Sequence, residues 1–216
     1  MPHDRIIHIP SGLELAPLQQ PLSKEEARLL LDVPQQGILI GLAGRFDPQK
    51  GQLLLLEAAK QLSDQSFGIV FLGAPTHNEG ESYHQEMLDL IETAGLSNRV
   101  FVRPFRNDIQ TFYKAIDAFV MASKAETFGM VTIEAMACGT PVIGSNAGGT
   151  PELLQFGKLG YLFEPLSSDD LANKITNFLV EPQHFSHKQL QEAMQQFDHH
   201  KVCETIELQL LKKRIA

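Results

Sequence analysis

Residues 118–144 read AFVMASKAETFGMVTIEAMACGTPVIG, and the pattern of this stretch identifies the architecture. It opens on Ala118–Ala122, a short apolar run that suits a strand buried on both faces. Thr127–Ala137 follows with helical composition, and Gly139 is placed to end that helix, because glycine tolerates the left-handed conformation of a helix C-terminus. Pro141 then opens a second strand, Pro141–Gly144. Strand, helix and strand in close succession form a βαβ unit, whose helix crosses between two parallel strands.

The same alternation runs outward in both directions. Ile38–Leu42, Phe67–Leu72 and Val100–Val102 are strand-like runs upstream, and Tyr161–Phe163 is another downstream. Helical patterns fill the intervals at Gln52–Ser63, Glu81–Thr93, Ile109–Ala115, Pro151–Gln155 and Asp169–Val180, with Pro151 at a first helical position and Thr150 as its cap. The alternation predicts an α/β fold of three α/β/α layers around a parallel sheet. Residues 37–182 make up this domain. Residues 1–36 hold five of the twelve prolines (Pro2, Pro10, Pro17, Pro21 and Pro34) and read as a lead-in segment. A short helix at Lys24–Leu31 is expected there, with Ser23 as N-cap and Glu26 closing a capping box. Residues 183–216 read as C-terminal helices, two of them between Ser186 and Ile215.

Composition narrows the functional classes. The 216 residues are 43% hydrophobic and 20% charged, which predicts a packed core rather than disorder. A net charge of −8 argues against nucleic acid as a partner, since such binders carry a basic face. It leaves room for a small local anion site. Met1–Gln20 has no continuous apolar core, and Leu53–Leu56 is far shorter than the ~20 residues of a spanning helix. Two cysteines 65 positions apart, Cys138 and Cys203, suggest a reduced, cytoplasmic chain.

Ligands in open parallel sheets bind beyond the carboxyl ends of the strands, so the residues after each strand carry the functional reading. After the first strand comes Gly44-Arg45-Phe46-Asp47-Pro48-Gln49-Lys50-Gly51, two cations flanking a turn that runs into a helix. A guanidinium fork, an ammonium and helix N-terminal amides all suit phosphate oxygens; a surface turn with solvated charges is the plain alternative. No Gly-x-x-x-x-Gly-Lys-Ser/Thr loop and no Gly-x-Gly pair exists, which removes most of the support for ATPase and dinucleotide oxidoreductase readings. After the fourth strand, Glu126 precedes the expected helix and Glu134 lies eight residues on. On a helix that spacing is about 12 Å of rise, so the two carboxylates face one side at separate heights and accept from different hydroxyls. Thr127, Phe128 and Gly129 present backbone N–H groups between them. The plain alternative is a helix-terminal charge and a solvated one. Gly148-Gly149 supplies a further permissive loop before the next helix.

Other features weigh less. His184, His187, His199 and His200 lie on polar helices without a completing ligand set, so no metal site is expected. Lys212, Lys213 and Arg214 suit a helix C-terminus. Cys138 reads as a small core filler.

Taken in order, Gly44-Arg45…Lys50-Gly51, Glu126…Phe128-Gly129…Glu134-Ala135-Met136-Ala137-x-Gly139-x-Pro141-Val142-Ile143 and Gly148-Gly149…Glu152 resemble the donor half of the family 4 (group 1) retaining glycosyltransferases of GT-B type. The resemblance covers residues 5 to 212 and includes Phe197-Asp198…Val202, similar to that family's closing helix. It implies a Rossmann-like domain, the C-terminal half of a GT-B fold, that binds a UDP-, GDP- or ADP-sugar and retains anomeric configuration with no cofactor or metal. By resemblance, Arg45 and Lys50 neutralise the diphosphate, Glu126 holds sugar hydroxyls and Glu134 accepts from the ribose. Gly44 and the backbone of Thr127, Phe128, Gly129, Met130 and Val131 touch the donor, and Arg103-Pro104-Phe105 flanks the base. Ala122, Thr127 and Asn146 stand where the family commonly has Pro, Gly and Asp, which leaves the sugar open.

The family's acceptor domain has no room here, and Ile6-Ile7-His8-Ile9-Pro10-Ser11-Gly12 looks like the entry to its second domain. The expectation is a donor domain alone, truncated or natural, weakly active or inactive by itself, with an exposed interdomain face through which it associates. The acceptor is unknown. A nucleotide-sugar epimerase of the same architecture and a non-catalytic binding module are the alternatives.

Overall fold

Strands whose alternate residues are apolar on both sides demand cover on both sides, and the chain supplies it. The structure, a computed structural model, describes residues 7, 9–76, 79–124, 126–182 and 185–215. Ile6, His8, Ala125 and His184 of the sequence reading lie outside the described residues, as do the side chains of Lys212, Lys213 and Arg214.

Six strands run in one parallel sheet: β1 (Ile38–Ala43), β2 (Phe67–Leu72), β3 (Val100–Arg103), β4 (Ala118–Met121), β5 (Val142–Ser145) and β6 (Gly160–Phe163). Their order is β3-β2-β1-β4-β5-β6. The order reverses direction between β1 and β4, which makes the carboxyl ends of these two strands the topological switch point.

Two cores flank the sheet. On one face Leu39, Val70, Phe119, Met121 and Val142 meet α4 (Ile109–Ala115), α5 (Met130–Ala137) and α8 (His187–Met194). On the other, Ile40, Leu42, Phe71, Val120 and Ile143 meet α2 (Gln52–Gln61), α3 (Glu79–Thr93) and α7 (Ser168–Val180). The period of two along each strand assigns these residues to their faces, and each fully buried Leu, Ile or Phe contributes roughly 1.5–3 kcal/mol. Gly41 is the one gap in β1: a Cβ there would stand 2.5 Å from Ile116 Cδ1 and 2.6 Å from Phe112 Cζ.

The segment before β1 adds Leu15, Leu18, Leu31 and Val33 to the first core. Its helix α1 (Lys24–Leu31) has the expected capping box, with Glu26 N–H donating to Ser23 Oγ at 3.2 Å and Ser23 N–H to Glu26 Oε2 at 3.1 Å. Arg28 fastens α1 from inside, donating to Ala115 O, Gln35 O, Gly37 O and the Asp117 carboxylate. At the other end of the chain, the Leu13 N–H donates to Phe197 O, just before the terminal helix α9 (His199–Ile215). Ile206, Leu208, Leu210 and Leu211 of α9 are exposed.

At two helix starts beside the sheet's carboxyl end the structure departs from the sequence expectation. Helix α5 begins at Met130, not Thr127, because Gly129 takes φ +84° and breaks any helix running through it. The short helix α6 (Thr150–Leu153) is capped by Gly149 rather than Thr150, whose side chain is buried against Gly144 instead of turning back to cap. Gly139 ends α5 as expected, at φ +83°, with the Thr140 N–H donating to Ala135 O.

Candidate functional site

Loops at the switch point are tied together beyond the strands. The Gly44 N–H donates to Leu72 O, Gly73 to Arg103 O, and Phe46 to Ala74 O. Backbones approach so closely that a Cβ on Gly73 would lie 1.9 Å from Gly44 O. Across the switch point, the Lys124 N–H donates to Gln49 O, and a Cβ on Gly51 would lie 2.5 Å from Ala122 O. Glycine is therefore required at Gly51, both for its φ of +78° and for its contact.

This zipper leaves a cleft of about 610 Å³ over the carboxyl ends of β1, β2 and β3. Gly44 and Arg45 line it from the first loop, Phe105 and Arg106 from the third, and Val131 and Glu134 from α5. Val131 and Glu134 are three residues apart on one helical face, which is why both reach it. Gly73, Ala74, Pro75 and Thr76 also line it. They belong to no motif, and only their place after β2 marks them in the sequence. A second cavity, of about 460 Å³, lies at the opposite end of the sheet and contains none of the expected site residues.

Lys50 and Glu126 are brought together: Lys50 Nζ lies 3.1 Å from Glu126 Oε2, both side chains only partly exposed. The stem of Lys50 runs over Gly44, with its Cγ 3.4 Å from where a Cβ would be. Arg45 instead points outward, 70% exposed, with Nε 3.5 Å from Asp47. Glu126 sits in the loop before α5, held by the Gly149 N–H donating to its carbonyl at 2.9 Å. The two glutamates are thus not stacked on one helix, since only Glu134 is helical.

Glu134 is neither solvated nor bare. The Tyr113 hydroxyl donates to its Oε2 at 2.9 Å. Burial pushes the Glu134 carboxyl above the usual range, and the Tyr113 hydrogen bond works against that rise. Tyr113 is a partner that the motif does not reveal.

The remaining expected residues divide. Gly129 is buried with its left-handed φ, and Met130 opens α5, whose N-terminus no side chain caps. Thr127 is exposed. Phe128 turns away from the cleft and packs edge-on against Phe197 at 5.8 Å. Phe105 is 69% exposed at the cleft mouth. Pro104 is exposed in the same loop. Arg103 turns from the cleft to the end of α1, donating to Leu31 O at 2.9 Å and pairing with Asp32 at 3.0 Å. His187, His199 and His200 are exposed, and among the described residues no group of three or more metal-ligating side chains gathers. Cys138 is buried, its thiol donating to Leu18 O, and burial pushes its pKa up to about 12. No described helix is long and apolar enough to cross a membrane.

Comparison with known proteins identifies the family. A family model described as glycosyl transferases group 1 matches residues 23–197. The D-inositol 3-phosphate glycosyltransferase of Streptosporangium roseum is 33% identical over 171 residues, 76% of this chain and 39% of that protein. The protein of the same name from Rhodococcus opacus is 30% identical over 185 residues, 83% of this chain and 41% of the relative. This chain therefore spans about two fifths of the length of these curated relatives. Among solved structures, HepE of Anabaena in complex with UDP and glucose superposes with a TM-score of 0.84 at 31% identity, covering 94% of this chain and 55% of HepE. The C-terminal domain of LpcC, a group 1 glycosyl transferase from Francisella tularensis, superposes with a TM-score of 0.71 at 26% identity, covering 89% of this chain and 97% of that domain.

Proposed function

The chain belongs to the glycosyl transferases of group 1, and from that premise we propose that it is the nucleotide-sugar-binding domain of a retaining glycosyltransferase. The observation that carries the reading is the Lys50–Glu126 pair beside a cleft lined by Glu134, all at the switch point of the sheet. In this reading Glu134 accepts from the ribose and Lys50 faces the diphosphate. Glu126 and the amides at the start of α5 meet the sugar, and Phe105 flanks the base.

The chemistry asks for this charge pattern. When the bond from the anomeric carbon to the diphosphate oxygen breaks, its electron pair goes to the diphosphate. Preorganised cations stabilise that growing charge without reorganising. In this reading Lys50 supplies one such cation, and Arg45, which pairs with Asp47 at 3.5 Å in the free chain, turns in when a donor binds. No metal is proposed for the step. The UDP and glucose bound by HepE make a UDP-sugar the first donor to try. The acceptor belongs to the length of the relatives that this chain does not span. The open cleft and the exposed apolar residues of α9 support an interdomain face there. Both cysteines are free, which fits a reducing, cytoplasmic setting.

A thermal-shift panel of UDP, GDP, ADP and their sugars tests the proposal. At least one nucleotide is expected to raise the melting temperature, in line with its occupancy. A folded chain that none of them stabilises contradicts it.

A further inference from the structure

We propose that Tyr113 is a positioning residue for nucleotide binding: from inside the core its hydroxyl fixes the Glu134 carboxylate toward the cleft, where it accepts a ribose hydroxyl. This rests on the donor-binding reading above.

The ring of Tyr113 has no freedom to do otherwise. It is fully buried, edge-on to Phe112 at 5.4 Å and to Phe119 at 5.4 Å. Its carbonyl is held by the Thr140 hydroxyl at 2.8 Å. From this clamp the hydroxyl crosses from α4 to α5 and meets Glu134 Oε2 at 2.9 Å. A carboxylate has about four acceptor positions. Tyr113 occupies one and leaves the others for the cleft that Glu134 lines. Burial also keeps the tyrosine protonated, well above its ordinary pKa, so it stays a donor throughout the working range.

The same bond favours the charged form of Glu134. Desolvation raises the glutamate's pKa, and the Tyr113 bond lowers it. Across the cleft, Arg45 and Arg106 pair with Asp47 and Asp108. Asp108 is held below the usual range by Arg106. Cys138, one turn along α5, is a neutral thiol near Lys114. Removing the Tyr113 hydroxyl therefore raises the pKa of Glu134, and lowering the pH neutralises the carboxylate sooner.

The test is calorimetric titration of UDP and of inorganic pyrophosphate into wild type, Y113F, E134Q and the double variant between about pH 5 and pH 8. Y113F is expected to weaken UDP binding about tenfold at the acid end and less at the alkaline end. Its pH midpoint should move up, and pyrophosphate, which has no ribose, should bind as before. In the E134Q background the Y113F effect should vanish. Should Y113F not fold, replacing the three tyrosines by 3-fluorotyrosine strengthens the donor, and must move the UDP midpoint down. If UDP, GDP and ADP all fail to bind wild type, the donor reading falls and this proposal with it. If wild type binds UDP and Y113F matches it at every pH, this proposal alone is overturned.

Discussion

Lys50 and Glu126 occupy each other in the free chain, and a donor must part them. That gives the two side chains opposite signatures. Lys50→Ala should weaken UDP binding about tenfold, as loss of a charge-assisted hydrogen bond does, and leave uridine binding unchanged. Arg45→Ala should act in the same direction. Glu126→Gln should instead tighten UDP about two- to fivefold, because a partly exposed ion pair is worth ~1 kcal/mol or less. It should also erase any preference for UDP-sugar over UDP. Calorimetry with the three ligands reads all of this, and equal effects of Lys50→Ala on UDP and uridine would sink the diphosphate role. The sequence singles out both glutamates and both cations, because they stand in a dense motif after strands. Tyr113 was not, because its link to Glu134 crosses two helices and leaves no periodic trace.

At the scale of elements, the strands fell within a residue or two of expectation, since short apolar runs between loop residues have few other readings. Helix starts were harder. Neither α5 nor α6 has a side-chain cap, so the Ser, Thr, Asp or Asn that marks a helix start is missing or, at Thr150, misleading. The loop before α5 instead depends on Gly148. Its φ is +59°, and a Cβ there would lie 2.1 Å from Glu126 O. Gly148→Ala should cost at least about 1–2 kcal/mol from the left-handed backbone alone. It should also displace Glu126, so a melting curve should fall and the preference for UDP-sugar over UDP should disappear while UDP still binds. A variant that melts lower but keeps the sugar preference would show that this loop does not set the Glu126 position.

The whole molecule is a sheet with two unlike ends. Strand order and the glycine-zipped loops put the Lys50–Glu126 pair and the Glu134-lined cleft at the carboxyl end. The layered fold was readable from alternation alone, while the facing of the two cores needed the register. Glycine amides report at which end of the sheet the donor binds. UDP-glucose added to isotope-labelled chain should shift the amide resonances of Gly44, Gly73, Gly129 and Gly148 and leave Gly37, Gly95 and Gly139 in place. Shifts confined to Gly37, Gly95 and Gly139, or none at saturating ligand, would contradict binding at the carboxyl end.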